Sequence, residues 1–166
     1  MHTVIASYGR RPTSSSVQAV AWYLTIFFVV ASVSQLFAFE DFPTLMDGSL
    51  RGGIYQATTF AALVVVFEVF AVPFLLSMRV SILMRYVSLV SGWLALIMWL
   101  LLSLHQNTDP GVLNAGLFGT KIIVPSGWWL TTFLVALLVL QGFATWGMRP
   151  WNQPPHARRS HKVQNT

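Results

Sequence analysis

One acidic residue lies inside a long apolar segment, and it is the residue best placed to do chemistry. Glu68 is the only charged residue between Arg51 and Arg79. It lies about twelve residues, or about 18 Å, from the start of a predicted helix. A carboxylate near the middle of a bilayer costs roughly 2.5–3.5 kcal/mol on insertion scales. We therefore expect Glu68 to face other helices and to be protonated or hydrogen-bonded.

Three polar side chains at a similar predicted depth are candidate partners for Glu68: Thr25, Ser91 and Gln141. In one interpretation Glu68 carries a proton, or hydrogen-bonds a quinone or another ligand such as a lipid. In the other, a neutral Glu68 ties helices together through Ser and Gln, as polar residues do in membrane bundles. Both interpretations stay open at the level of the sequence.

A second polar group is expected at the outer ends of the helices. Gln35 and Glu40 stand at the end of the first apolar segment, and His105 ends the third. Together they would line an outward-facing polar pocket in which His105 serves as a proton relay. A His at a membrane interface is more often a solvated helix end. These scattered residues fit no defined metal geometry, so no metal site is predicted.

The sequence lacks the residues that several other kinds of site require. The chain has no cysteine, which excludes thiol exchange and iron–sulfur ligation by its own thiols. It also lacks the spacing of a phosphate-binding loop, a Ser–His–Asp triad or a zinc site. The sequence therefore predicts no catalytic residue set and no intrinsic cofactor.

The composition places the chain in a lipid bilayer. Of its 166 residues, 55% are hydrophobic and 9% are charged, against about 25% charged residues in soluble domains. Apolar segments long enough to cross a bilayer cover residues 16–39, 55–78, 82–105 and 128–148. The short turn around Arg79 makes the second and third an antiparallel hairpin. The prediction is an all-α membrane protein, an antiparallel bundle of four transmembrane helices within 16–148.

Local signals refine this bundle. The polar run at 13–16 predicts a cap for the first helix. Pro73 predicts a kink, or an unpaired carbonyl, in the second helix. The pairs Asp47-Gly48 and Gly52-Gly53 predict turns in the first outer loop. The second outer loop, 106–127, is apolar enough that we expect it to fold back onto the bundle.

Basic residues predict the orientation. Only Arg51 and Lys121 fall on one side of the predicted membrane, and the other Lys and Arg residues fall on the opposite side. The positive-inside rule then makes residues 1–15 a cytoplasmic N-terminal segment and residues 149–166 a basic cytoplasmic tail. The net charge of +5 sits at membrane edges, which favours a role in topology over nucleic-acid binding. We expect a multi-pass protein of the inner, or cytoplasmic, membrane.

Three segments carry a family resemblance: FFVVASVSQLFAFEDFPTLM at 27–46, AALVVVFEVFAVPFLLSMRV at 61–80, and NAGLFGTKIIVPSGWWLTTFLVALLVL at 114–140. The chain resembles the DoxX/MauE-like group of small four-helix membrane proteins over roughly residues 20–140. That resemblance implies a role beside thiosulfate:quinone oxidoreduction or periplasmic disulfide formation. Many members carry cysteines just before a Phe-Gly pair. In this chain residues 114–117 stand before the pair Phe118-Gly119 and contain no cysteine. The group's mid-helix Glu matches Glu68.

The sequence therefore favours a non-catalytic accessory or structural subunit of a bacterial-type inner-membrane complex, linked to a respiratory or quinone redox system. Its partners would be the bilayer and other membrane-protein subunits. A second hypothesis is a quinone-interacting redox subunit that uses Glu68 as its proton group. A third is a small oligomeric transporter, since four helices from one chain enclose little volume.

Overall fold

The computed structural model describes residues 14–50, 53–78, 80–108 and 114–148. The predicted tail 149–166, Arg79 and all but the end of the predicted N-terminal segment lie outside the described residues. Regular structure in the described part of the chain is helical throughout: α1 Ser15–Phe37, α2 Phe42–Leu50, α3 Ile54–Leu75, α4 Ile82–Gln106 and α5 Trp128–Gly147.

Four of these helices, α1, α3, α4 and α5, are long and apolar enough to cross a membrane. Their bounds differ from the predicted spans by at most three residues, the largest difference being the end of α3 at 75 instead of 78. The predicted fold, an all-α membrane protein with four spanning helices, is confirmed. Ser14 caps α1 by accepting a hydrogen bond from Val17 N at 3.3 Å, so the cap also lies where the polar run predicts it.

The four long helices form a closed ring. Helix α1 packs against α3 and α5, and α4 packs against the same two helices. Successive long helices run in opposite directions, so the start of α1 and the end of α5 lie at one end of the ring. Val17 of α1 contacts Gly147 of α5 there. We call this the terminal end, and the opposite end, where α2 and residues 114–127 lie, the loop end.

The outer surface of the ring is apolar, and this explains why the helices need a bilayer. Side chains such as Ile26, Leu83, Leu101 and Val139 are more than half exposed. In water so much continuous apolar surface would drive association. In lipid it is the favourable surface, and the helices satisfy their own backbone groups.

The first outer loop differs from its prediction. Residues 42–50 form the helix α2, which packs against α3, and Asp47-Gly48 lies inside it rather than forming a turn. Because α2 buries Phe42 completely, its packing outweighs the local turn preference of that pair. Gly53 does end the segment, with a φ of 81° at the start of α3.

Pro73 lies inside α3, and a neighbouring helix satisfies the backbone around it. Proline lacks an N–H and disturbs the bonds of the preceding turn. Ser88 of α4 accepts a hydrogen bond from Phe74 N at 2.8 Å and is within 3.2 Å of the Ala71 carbonyl oxygen, to which it donates. The turn around Pro73 is therefore also a point at which α3 and α4 are hydrogen-bonded.

Candidate functional site

Glu68 faces the interior of the bundle. Its side chain is 0% exposed. It shares the inward face of α3 with Val64, Val65, Ala71 and Leu75, which recur at the three- and four-residue spacing of one helix face. The cost of a carboxylate in lipid explains this orientation.

Two donors on two other helices converge on one oxygen of Glu68. Trp99 Nε1 of α4 donates to Oε1 at 2.8 Å, and Gln35 Nε2 of α1 donates to the same oxygen at 3.3 Å. The other oxygen, Oε2, has no partner among the described residues. Glu68 thus connects α1, α3 and α4.

Helix direction explains this convergence. Side chains lean toward the N-terminus of their own helix. Helix α3 runs opposite to α1 and α4, so Glu68 leans toward the loop end while Gln35 and Trp99 lean toward the terminal end. Gln35, two positions before the end of α1, can therefore reach Glu68, which lies two-thirds of the way along α3.

Gln35 also fixes the loop end. Its Nε2 donates to the Leu117 carbonyl at 2.9 Å, so one amide joins Glu68 to the segment 114–127. That segment is folded on itself, with Ala115 N donating to Val124 O at 2.7 Å. Asn114 Oδ1 accepts from the backbone N–H groups of Gly116 and Val124. Non-helical backbone buried in this way meets its hydrogen-bonding needs within the protein.

Gly119 allows this segment to approach α1. Its φ is 71°, a conformation that residues with a Cβ rarely adopt. A Cβ at this position would lie 3.0 Å from the Ser34 carbonyl oxygen and 3.1 Å from Ala38 Cβ. Beside it, Phe118 packs edge-on against Phe27. The prediction that the apolar loop folds back onto the bundle is confirmed for residues 114–127.

The three predicted partners of Glu68 lie elsewhere. Thr25 is buried but donates to the Ala21 carbonyl of its own helix at 2.8 Å. Ser91 is buried on α4 without a hydrogen bond to Glu68. Gln141 is 0% exposed, and neither its Oε1 nor its Nε2 has a partner among the described residues. Among the described residues none of the three therefore bonds Glu68 directly, because a similar depth in the membrane does not bring two side chains within hydrogen-bonding distance.

The outer polar candidates are divided between the surface and the interior, and the exposure of His105 agrees with its interpretation as a solvated helix end. Glu40 and His105 are exposed at the loop end, whereas Gln35 is completely buried and belongs to the Glu68 cluster. Among the described residues no group of three or more His, Asp or Glu side chains is placed to hold a metal ion.

Trp99 is the site residue that sequence reasoning missed. Most tryptophans of the chain stand near predicted helix ends, as interfacial belts require. Trp99 lies well inside its helix and is 1% exposed. A buried indole N–H needs an acceptor, so a tryptophan away from the interface was a signal for a buried acceptor such as Glu68.

The Glu68 cluster is rich in free acceptors. Glu68 Oε2 and Gln35 Oε1 are both buried and unpartnered among the described residues, while Gln35 Nε2 and Trp99 Nε1 are already used. Such a site can take a hydrogen-bond donor. It can supply a donor only if Glu68 itself carries a proton.

No family model, no curated protein and no solved structure matches this chain.

Proposed function

We propose that this chain is a non-catalytic accessory subunit of a bacterial-type inner-membrane complex, and that its loop end is the surface on which a partner docks. One observation carries the proposal: the buried polar cluster holds the loop end in place. Gln35 Nε2 donates both to Glu68 and to the Leu117 carbonyl. Gln35 therefore connects Glu68, whose carboxyl group is costly to bury in a membrane, to the conformation of residues 114–127.

The loop end also presents an apolar rim. Ile123 is 73% exposed, and Trp128 and Trp129 are more than half exposed beside it. Ile123 belongs to the segment that Asn114 folds through its hydrogen bonds to Gly116 N and Val124 N, and Trp128 and Trp129 begin α5 directly after that segment. Rigid aromatic and aliphatic side chains are the usual anchors of protein interfaces. Lipid headgroups are the alternative neighbours, and the following experiment distinguishes them.

A photo-activatable amino acid at position 123 tests the docking surface in native membranes. We expect a cross-link to one protein, identified by mass spectrometry. The matched control is position 83, which is 72% exposed at the start of α4 and should cross-link lipid. Lipid adducts alone at both positions would contradict the proposal, as would turnover of a quinone by the purified chain alone.

A second candidate function is a quinone-interacting redox subunit with Glu68 as its proton group. The unpartnered Glu68 Oε2 and Gln35 Oε1 favour it, since the two hydroxyl groups of a quinol are donors. An oxidised quinone offers only acceptors and would need the proton of Glu68. Glu68→Gln tests the difference because it keeps the shape and removes the ionisable proton. A proton role predicts loss of quinol turnover in the assembled complex, whereas a structural role predicts that most of it survives.

The cytoplasmic location of both termini belongs to the same proposal. It is supported by the Lys and Arg residues that the sequence concentrates toward the terminal end, Arg85 among them. Fusions of a cytoplasm-active reporter and a periplasm-active reporter to the C-terminus test it. Activity of the periplasmic reporter would reverse the orientation.

A further inference from the structure

Gln141 is the most unusual buried side chain in the part of the chain that the structure describes. It is 0% exposed, and both atoms of its amide lack a hydrogen-bond partner. A buried polar atom left without a partner keeps the full cost of its lost hydration. Buried water is the common way in which proteins meet such a need, and a primary amide suits it because it both donates and accepts.

The amide occupies a defined position between three helices. A Cβ built on Gly92 of α4 would lie 2.7 Å from Gln141 Nε2 and 3.4 Å from Ala71 Cβ of α3. Glycine at position 92 therefore makes the space that the amide fills. Ala71 is one turn along α3 from Glu68, on the same inward face.

Polar groups continue from this position in both directions. Toward the terminal end, Ser88 lies one turn from Gly92 and donates to the Ala71 carbonyl at 3.2 Å. One turn further, Arg85 is 6% exposed, and its Nη2 lies 3.4 Å from the Met148 carbonyl oxygen. Toward the loop end, Glu68 lies one turn from Ala71 on the same inward face of α3. We call Arg85, Ser88, Gln141, Glu68 and Gln35 the polar column.

The two ends of the polar column differ in their connection to Glu68. On the loop side, Gln35 bonds Glu68 directly and Leu117 closes the cluster. On the terminal side, the unpartnered Gln141 amide stands between Ser88 and Glu68, and Glu68 Oε2 is unpartnered as well. Helix α5 begins at the loop end, so Gln141 leans toward Glu68. Water between these groups would satisfy both.

We propose that the bundle holds water at Gln141, and that Glu68 exchanges its proton with the terminal end through this water. The step is a proton transfer and nothing is oxidised or reduced. The O–H bond of the Glu68 acid breaks as the water at Gln141 takes the proton, and that water releases one of its own protons toward the terminal end. The acid O–H bond re-forms when the same water takes up a proton from the terminal end and passes it to the Glu68 carboxylate. Within the described part of the chain, the two groups bonded to Glu68, Gln35 of α1 and Trp99 of α4, are uncharged, and Arg85 is the basic member of the column.

Infrared spectroscopy of the full chain in lipid nanodiscs tests this route. The carbonyl stretching band of the Glu68 acid is assigned by its loss in Glu68→Gln, and its shift after transfer to D2O gives the exchange rate. Gln141→Leu keeps the volume and removes the amide. We expect it to slow the exchange by about tenfold or more, as one lost relay step adds to the barrier.

Two further variants make the result specific. Gly92→Ala places a methyl group in the space of the amide and should slow the exchange in the same direction, which also covers the case in which Gln141→Leu does not fold. Ser103→Ala is the matched control, because Ser103 forms a buried pair with Thr131 on α4 and α5 outside the polar column. Its exchange rate should stay within about twofold of the original.

Three results would overturn the proposal. The first is an exchange rate that neither Gln141→Leu nor Gly92→Ala changes. The second is an exchange rate controlled only by substitutions in 114–127, which would place the route at the loop end. The third is a Glu68 that shows no acid band at any pH. The proposal is independent of partner docking, so a failed cross-link at position 123 would leave it standing.

Discussion

Two buried glutamines in the same bundle behave in opposite ways. Gln35 and Gln141 are both 0% exposed. Gln35 donates to Glu68 and to the Leu117 carbonyl, whereas neither Oε1 nor Nε2 of Gln141 has a partner in the part of the chain that the structure describes. The first therefore stabilises the fold by joining α1, α3 and the loop end. Gln141 lowers the stability of the fold unless water or another ligand forms hydrogen bonds with its amide. A buried polar group that lowers stability and has no structural role indicates a function.

Trp99 donates the second hydrogen bond to Glu68 in the cluster that Gln35 stabilises. Trp99→Ala should have the largest effect, lowering the free energy of unfolding by about 3–5 kcal/mol, since it removes a completely buried indole and leaves a cavity. Thermal unfolding in detergent measures it. Trp129→Ala, at a half-exposed position, is the control and should change stability little. Equal effects would mean that the buried cluster does not stabilise the bundle.

The direct comparison is the same substitution at both glutamines. Gln35→Leu should cost about 1–3 kcal/mol, because it deprives the Leu117 carbonyl and Glu68 of a buried donor. Hydrogen exchange of the amides in 114–127 should rise with it. Gln56→Leu, at an exposed position on α3, is the control. If the amides of 114–127 keep their protection from hydrogen exchange in Gln35→Leu, the Glu68 cluster does not hold the loop end in place.

Ser88 tests whether the polar column also has a structural function near Pro73. Ser88→Ala removes the acceptor for Phe74 N and the donor to the Ala71 carbonyl. Interhelical hydrogen bonds in membranes contribute about 0.6 kcal/mol on average and up to about 1.7, so we expect a loss in that range. Thr59→Val removes a hydroxyl that bonds only its own helix and should cost less.

Gln141→Leu should have the smallest effect on stability. It removes two polar atoms that have no protein partner and keeps the volume, so the free energy of unfolding should change by less than about 0.5 kcal/mol or increase. The same unfolding measurement decides it. A loss as large as that of Gln35→Leu would show that Gln141 is bonded within the protein and would remove the contrast.

Much of the fold could be predicted from the sequence, and the site could be predicted only in part. Hydropathy and the few charges located all four spanning helices, and the unusual Glu68 marked the interior. The helix α2 could not be predicted, because Asp47-Gly48 has a local preference for a turn that only the packing of Phe42 overcomes. The partners of Glu68 were also missed, since Gln35 is close to a helix end in sequence and was assigned to the surface.

The sequence by itself determined that this chain crosses a membrane four times and that Glu68 faces inward, because transfer free energies are sums over local residues and need no knowledge of neighbours. Only the tertiary structure decided that Gln35 and Trp99, rather than Ser91 and Gln141, bond Glu68. That choice depends on antiparallel helices whose side chains lean toward each other, and on the segment 114–127 that lies over Gln35. Hydrogen bonds are short and directional, so a pairing that depends on three helices and a loop has no local signature.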